Sequence, residues 1–313
     1  MLGKSGLGVS LVGLGCNNFG GRIDRDATRR VVHKALDLGI TLFDTADIYG
    51  NRGGSETALG EVLGVRRKDV ILATKFGSPM DAADTQKGAS RRYILSAVEA
   101  SLKRLKTDWI DLYQLHYPDP ETPIEETLRT LDDLVRQGKV RQIGHSNFSG
   151  AQVTEAQAVA ARSGLASFVS AQNEYSLLVR DVERDLLPAV AAAGLGFMPY
   201  FPLAGGFLTG KYRRDAPPPA GTRLAVVTNL AERYLTPANW QILEGLRDFC
   251  ARRNHSLLEL AVAWLAAQPR VSSVIAGATR PVQLEENVRA LDWRLTPAEL
   301  AEIDRLTANR STG

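Results

Sequence analysis

The segment Gly39–Gly50, with the sequence GITLFDTADIYG, contains the pattern that decides the fold. Its run Ile40–Phe43 is typical of a buried strand, and this strand delivers Asp44 and then Tyr49 into the loop that follows. An acid and a phenol just past a strand end would form half of a catalytic site. We therefore expect a cation and a histidine at the ends of other strands.

The rest of the chain repeats this alternation of short apolar runs with longer helical patterns. Eight runs are predicted strands: Val9–Leu14, Thr41–Phe43, Val70–Thr74, Ile110–Leu115, Arg141–His145, Phe168–Gln172, Gly196–Tyr200 and Ser273–Ile275. Six patterns have the apolar spacing of helices: Ala27–Leu38, Ser55–Leu63, Arg91–Leu105, Ile124–Arg136, Gly150–Ala161 and Val182–Ala192. Apolar strands interleaved with helices indicate a parallel sheet that is covered by helices.

A (β/α)8 TIM barrel is the predicted α/β architecture, and a doubly wound sheet is the alternative. The barrel is favoured because the strand count reaches eight and the length of 313 residues is sufficient for it. Gly13–Gly15 follows the first strand, but Asn18 stands where a dinucleotide-binding fingerprint needs its third glycine. We expect one domain, 1–313.

Composition limits the classes of function. The chain has 44% apolar and 23% charged residues, as an ordinary globular protein does, and its formal net charge is +3. No run of like charges predicts binding to nucleic acid or membrane, and no leader or apolar span is evident. Two cysteines are too few for a disulfide framework. A cytoplasmic protein is expected.

One long irregular segment, residues 201–235, follows the seventh predicted strand. Its sequence Gly205–Lys211 nearly matches a phosphate-binding loop, but Tyr212 replaces the required serine or threonine. Long loops in compact domains are usually functional or disordered. We predict a loop over the active site.

Four titratable residues of different chemistry occupy successive strand ends. Asp44 and Tyr49 follow strand two, Lys75 ends strand three and His116 ends strand four. Each residue alone is usually a cap, a solvated terminus or a packing group. Because the carboxyl ends of barrel strands meet at one rim, their joint occurrence predicts a catalytic site there.

The chain resembles the aldo-keto reductases at this point. The segments that carry the resemblance are FDTADIYG, ATK, QLHYPDP and GKVRQIGHSNF, in that order, and the likeness extends from LGKSGLGVS near the N-terminus to VIAGATRPVQLEEN near the C-terminus. It is strongest for the bacterial branch that also includes the potassium-channel β subunits. The resemblance implies a barrel whose floor is closed by an N-terminal hairpin, shortened here.

The resemblance also implies roles for the four residues. Tyr49 would donate a proton to the carbonyl oxygen, and Lys75 would lower the tyrosine pKa from its usual value near ~10. Asp44 would keep Lys75 charged and oriented, and His116 would hydrogen-bond the carbonyl. No metal is needed for this chemistry.

Cofactor positions follow from the same likeness. Residues of the nicotinamide end would be Ser146, Asn147, Gln172 and Tyr200; those along the phosphates and adenosine would be Phe201, Leu203, Gly205, Lys211, Gly277, Thr279, Arg280, Gln283, Glu286 and Asn287. Arg280 suits a 2′-phosphate and favours NADPH (NADP+), with NADH as the alternative. Two departures from the family pattern relax this preference: Phe201 replaces a common serine, and Gly277 replaces a common lysine.

The predicted function is NADPH-dependent reduction of aldehydes or ketones to alcohols. The alternative is an NADP(H)-holding, redox-sensing or regulatory subunit with slow turnover; a metal-dependent isomerase lacks a ligand cluster. The partner would be a small-molecule carbonyl substrate, and either a monomer or a homo-oligomer fits. Rim position predicts four substrate-pocket residues: Phe19, Ile48, Tyr117 and Phe148.

Overall fold

Eight parallel strands alternate with helices in the computed structural model, which describes residues 1–308. The strands are β1 (Val12–Gly15), β2 (Leu42–Asp44), β3 (Ile71–Phe76), β4 (Ile110–Leu115), β5 (Val140–Ser146), β6 (Ser170–Gln172), β7 (Gly196–Phe197) and β8 (Val274–Gly277). Each predicted strand has its counterpart among them. The predicted domain, 1–313, includes five residues, 309–313, that lie outside the described ones.

The sheet closes on itself. Its hydrogen-bonded order is β7-β6-β5-β4-β3-β2-β1-β8, and Phe197 of β7 pairs in parallel with Val271, just before β8. The Phe197 N–H donates to the Arg270 carbonyl, and the Ser272 N–H donates to the Phe197 carbonyl, both at 2.8 Å. A doubly wound sheet would keep two open edges, so the predicted TIM barrel is confirmed.

Helices surround the barrel. They are α1 (Arg25–Asp37), α2 (Tyr49–Leu63), α3 (Arg91–Leu105), α4 (Ile124–Arg136), α5 (Gly150–Ser163), α6 (Leu186–Ala193), α7 (Arg223–Val226), α8 (Thr228–Tyr234), α9 (Pro237–Ala251), α10 (Leu257–Ala266), α11 (Pro281–Arg289) and α12 (Pro297–Ala308). Side-chain caps fix several starts: Asp24 accepts from the Ala27 N–H at 2.7 Å and begins α1. Within residues 1–308, no helix has the length and apolarity needed to cross a membrane.

The barrel interior has an apolar core of its own. Leu42, Leu112 and Ile275 belong to a buried cluster that also contains Leu2. The N-terminal hairpin brings Leu2 there, since its N–H donates to the Leu7 carbonyl at 2.9 Å. Full burial of a leucine side chain contributes about 2 kcal/mol, so this hairpin stabilises the end of the barrel that it closes.

The long segment after β7 is more regular than the sequence predicts. It contains the 3₁₀ turn Ala204–Thr209 together with α7 and α8. Phe201 and Ala204 have positive φ angles of 53° and 46°, which bend the chain sharply as it leaves β7. Residues from this segment line the cavity described next, so the segment covers the carboxyl-end rim as predicted.

Candidate active site

A cavity of about 660 Å³ opens at the carboxyl ends of the strands. Asp44 is the last residue of β2, Lys75 lies near the end of β3, and His116 follows β4 directly. Lys75 of β3 pairs with Gln114 of β4, which lies two residues before His116. The pairing register therefore places Lys75 and His116 close to the same end of the barrel. The predicted strand-end residues therefore meet at one rim.

Lys75 and Asp44 form a buried ion pair. The Lys75 side chain is 0% exposed, and its Nζ donates to Asp44 Oδ2 at 2.7 Å and to the Thr45 carbonyl at 2.8 Å. Burial disfavours the ammonium, but the net effect of its neighbours, with the charge of Asp44 first among them, raises the pKa of Lys75. Lys75 is therefore a fixed cation at neutral pH.

The second oxygen of Asp44 is also engaged. Asp44 Oδ1 accepts from Gln172 Nε2 at 2.9 Å and from Gln114 Nε2 at 3.2 Å. Sequence reasoning missed Gln114, although strand alternation could have found it: Gln114 and His116 are two residues apart and share a face of β4. Two amides and one ammonium thus fix the carboxylate in orientation.

Tyr49 is positioned by an unusual backbone. It begins α2, and the next four residues, Gly50 to Gly53, have φ angles of 67°, 61°, 65° and 112°. A Cβ on Gly50 would lie 2.4 Å from the Phe19 carbonyl oxygen, so only glycine fits there. This left-handed turn holds the Tyr49 ring with its centroid 5.1 Å from Lys75 Nζ.

The pKa of Tyr49 differs from the sequence expectation. Burial raises it above the ordinary value, and the opposing effect of Lys75 is smaller. Lys75 therefore acts in the expected direction, but burial, which could not be read from the residues, outweighs it. Tyr49 carries its proton at neutral pH, and Lys75 is placed to stabilise the phenolate that forms when the proton leaves.

His116 is a neutral imidazole beside Tyr49. The two rings meet edge to face with centroids 5.8 Å apart, and Tyr117 stacks on the imidazole at 4.9 Å. Burial, with help from the charge of Lys75, lowers the pKa of His116 to about 3. The hydroxyl of Ser78, a residue that sequence reasoning missed, lies 3.1 Å from His116 Nδ1. A neutral ring can donate a hydrogen bond without bringing a second charge beside Lys75.

The residues predicted for the nicotinamide end form one hydrogen-bonded group. Ser146 Oγ donates to the Gln172 carbonyl at 2.7 Å, and Asn147 Nδ2 donates to the His116 carbonyl at 2.9 Å. The Tyr200 hydroxyl donates to Asn147 Oδ1 at 2.8 Å. All four residues line the cavity. A ring that carries a carboxamide group would therefore meet donors and acceptors whose orientations are already set by their hydrogen bonds to one another.

The remaining cofactor positions divide into two sets. Those that line the cavity are Phe201, Leu203, Gly205, Lys211, Gly277, Thr279 and Gln283. Arg280, Glu286 and Asn287 do not line it; they lie at the N-cap of α11 or within that helix. Gln283 Oε1 already accepts from the Thr279 and Arg280 N–H groups at 2.8 and 3.0 Å. Asn287 Oδ1 is buried without a hydrogen-bond partner among the described residues.

Three cations in the cavity wall have no carboxylate partner within residues 1–308: Arg22, Lys211 and Arg223. Burial and then the charge of Arg22 lower the pKa of both Lys211 and Arg223. Arg22 Nη2 donates to the Gly221 carbonyl at 2.7 Å, which ties the β1–α1 loop to the segment after β7. Mutually repelling, unpaired cations in one cavity favour a multiply charged anion. Sequence reasoning missed both arginines, because Arg22 lies in a loop and Arg223 begins the short helix α7, and neither belongs to a motif.

Two of the four predicted substrate-pocket residues lie outside the cavity. Ile48 and Tyr117 line the cavity, but Phe19 and Phe148 do not. Phe19 is 0% exposed within the apolar core, and Phe148 packs against the ring of His145 with centroids 4.5 Å apart. A position near the rim does not determine whether a side chain faces the cavity or the core.

A buried ammonium beside a protonated phenol is an arrangement that can deliver a proton to an oxygen atom in the cavity. The chain belongs to the aldo/keto reductase family, whose sequence model matches residues 11–308. It is accordingly an aldo-keto oxidoreductase, as the resemblance of the sequence motifs predicted.

Curated relatives align over nearly the whole chain. A "Probable voltage-gated potassium channel subunit beta" of Arabidopsis thaliana is 38% identical over 320 residues, 99% of this chain and 96% of that protein. The "Uncharacterized oxidoreductase YrpG" of Bacillus subtilis (strain 168) is 39% identical over 304 residues, 94% and 91% respectively. The "L-glyceraldehyde 3-phosphate reductase" of Escherichia coli (strain K12) is 36% identical over 317 residues, 98% and 91%.

Proposed function

We propose that the protein reduces aldehydes or ketones to alcohols with NADPH, and that Tyr49 supplies the proton. The observation that carries this proposal is the arrangement of Asp44, Lys75, Tyr49 and His116 around one end of the cavity. When bound, the reduced nicotinamide supplies the hydride that the carbonyl carbon accepts.

The side chains divide the remaining work. His116, neutral and held by Ser78, donates a hydrogen bond to the carbonyl oxygen and orients it. Tyr49 transfers its phenolic proton to that oxygen as negative charge develops there. Lys75 stabilises the resulting phenolate, and Asp44 keeps the ammonium in place at 2.7 Å. The product alcohol thus contains one hydride and one proton more than the substrate.

The residues present fit a dinucleotide. Arg22, Lys211 and Arg223 supply unpaired positive charge for the pyrophosphate. At Gly277, a Cβ would lie 3.2 Å from Asn17 Oδ1 and from Asn18 Nδ2, so glycine keeps that wall open. The unpartnered oxygen of Asn287 offers an acceptor on α11 for the adenine amino group.

Preference for NADPH over NADH rests on Arg280. Its side chain is exposed at the N-cap of α11, where the guanidinium and the positive end of the helix dipole both favour a 2′-phosphate. The charge of Arg280 also acts on Lys211, which places it near the cavity cations.

The test is a screen of NADPH oxidation with aromatic aldehydes, α-dicarbonyls, keto sugars and short phosphorylated aldehydes, repeated with NADH. The phosphorylated aldehydes are included because one relative is named for such a substrate. We expect turnover with at least one class and a higher kcat/KM with NADPH. If the protein binds the nucleotide but shows no turnover above background with any of these substrates, the proposal is contradicted.

A second candidate is an NADP(H)-holding regulatory subunit with slow turnover. Relatives at 38% identity from Arabidopsis thaliana and Oryza sativa subsp. japonica carry the name of a potassium-channel β subunit, which favours it. Tight NADPH binding together with uniformly slow turnover over the whole panel would support this candidate against the first.

A further inference from the structure

Asp47 lies behind the catalytic loop and takes no part in the mechanism above. It is 1% exposed, and its N–H donates to the Lys75 carbonyl at 3.1 Å. One carboxyl oxygen, Oδ2, accepts a long hydrogen bond of 3.4 Å from the Tyr93 hydroxyl, and the Ile48 N–H also interacts with the carboxyl group. The other, Oδ1, is buried with no partner among the described residues. A carboxylate so poorly solvated is unfavourable, whereas a protonated carboxyl group is not.

Tyr93 connects Asp47 to the other side of the active site. Its hydroxyl lies 3.4 Å from the Ser78 carbonyl as well as 3.4 Å from Asp47 Oδ2. The hydroxyl of Ser78 in turn lies 3.1 Å from His116 Nδ1. A chain of contacts therefore runs from the segment that carries Tyr49, through Tyr93 and Ser78, to the imidazole of His116.

We propose that Asp47 is a positioning residue: it keeps the side chains of Tyr49 and His116 correctly placed relative to each other only while its carboxyl group carries a proton. This inference rests on the proposed reductase function. Tyr93 has one hydroxyl proton and two acceptors within reach. A protonated Asp47 donates to Tyr93, and Tyr93 then donates to the Ser78 carbonyl. An ionised Asp47 accepts the hydrogen bond from the Tyr93 hydroxyl instead. The Ser78 carbonyl is then left without its donor.

The charges around Asp47 favour the protonated form. Glu56 of α2 raises the pKa of Asp47 and Arg104 of α3 lowers it, but Arg104 is paired with Glu56, with Nε donating to Oε2 at 2.7 Å. Tyr93 of α3 and Tyr113 of β4 complete the titratable neighbours, and the Tyr113 hydroxyl is buried without a partner among the described residues. Burial first, and the charge of Glu56 second, raise the pKa of Asp47 to about 8.

Ionisation of Asp47 should cause a loss of activity at alkaline pH. This loss does not come from Tyr49, because the pKa of Tyr49 is raised above its usual value near ~10. For the wild-type protein with saturating NADPH, kcat should fall about tenfold from pH 7 to pH 9. In Asp47→Asn, a neutral side chain of the same shape, kcat at pH 7 should stay within about threefold of wild type and the alkaline loss should disappear. A variant that keeps the wild-type loss, or a wild-type profile that is flat to pH 9, would overturn the proposal.

Two further variants separate positioning from general stability. Tyr93→Phe removes the connecting hydroxyl, so we expect kcat at pH 7 to fall about tenfold with KM unchanged and with no further alkaline loss. Asp132→Asn is the matched control: Asp132 is a buried carboxyl of α4 that accepts from the Ala166 N–H at 2.9 Å, remote from the site. It should keep the wild-type profile. A Tyr93→Phe profile equal to that of wild type would contradict the chain of contacts.

Infrared titration of the wild-type protein tests the proton itself and needs neither a variant nor activity. A protonated carboxylic acid should be seen at pH 7 and should disappear as the pH passes about 8. Its absence at pH 7 would overturn the proposal. A protein that shows this titration but reduces no carbonyl at any pH would instead contradict the proposed reductase function.

Discussion

His145 is predicted to make the protein sensitive to acid. This residue of β5 is 0% exposed, and neither ring nitrogen has a hydrogen-bond partner among the described residues. Phe148 and Phe168 pack against it, with centroids 4.5 and 5.2 Å away. Burial lowers the pKa of His145 to about 3, against ~6.5 in an unfolded chain.

The sign of the effect follows from proton binding. Below about pH 6.5, His145 binds a proton in the unfolded state but not in the folded state. The free energy of unfolding therefore decreases as the pH falls from about 6.5 towards 3. At pH 5 the loss amounts to about 2 kcal/mol for this one group. His116, whose pKa is also about 3, adds a similar loss in the wild-type protein.

His145→Phe is the perturbation that isolates this contribution. Phenylalanine has nearly the same volume and suits an aromatic pocket, so no cavity is created. Urea unfolding at pH 7 and at pH 5 should show that the variant loses about 2 kcal/mol less than wild type between these values. His33→Asn, at an exposed histidine of α1, is the control and should behave as wild type. If His145→Phe loses as much free energy of unfolding as wild type, the reasoning is refuted.

Three further predictions concern the site. Lys75→Met should destabilise the protein by about 3–5 kcal/mol in urea unfolding, because Asp44 is left buried and uncompensated, and adding Asp44→Asn should restore part of that loss; equal, additive losses would contradict the pairing. Arg223→Met should weaken NADPH binding and reduce its salt dependence in a fluorescence titration, whereas unchanged affinity would remove Arg223 from the pyrophosphate site. Arg280→Met should raise KM for NADPH about tenfold with little change for NADH, and an equal effect on both would exclude a 2′-phosphate contact.

Much of the fold could be predicted because its signals are local. Apolar strand runs and helical spacing recur along the chain, and the predicted helices Arg91–Leu105 and Ile124–Arg136 match α3 and α4 residue for residue. The strand Gly196–Tyr200 was predicted too long, because β7 ends at Phe197 and the chain then turns towards the cavity. Apolar residues in that turn have the same composition as a strand.

The site could be predicted only where chemistry coincides with a strand end. Lys75 and His116 are conspicuous as polar residues that end apolar runs. Arg22 and Arg223 line one cavity because tertiary packing brings their segments together, and Phe19 faces the core for the same reason. The pKa of Tyr49 depends on burial, which residue types alone do not determine.

The central claim is that Tyr49 delivers the proton to the carbonyl. The most direct measurement is the single-turnover rate of NADPH oxidation by Tyr49→Phe, compared with wild type on the best substrate of the panel, after NADPH affinity has been shown to be equal. The account predicts a rate lower by about 10²–10⁴-fold with unchanged nucleotide binding. A Tyr49→Phe enzyme that oxidises bound NADPH at the wild-type rate would contradict it.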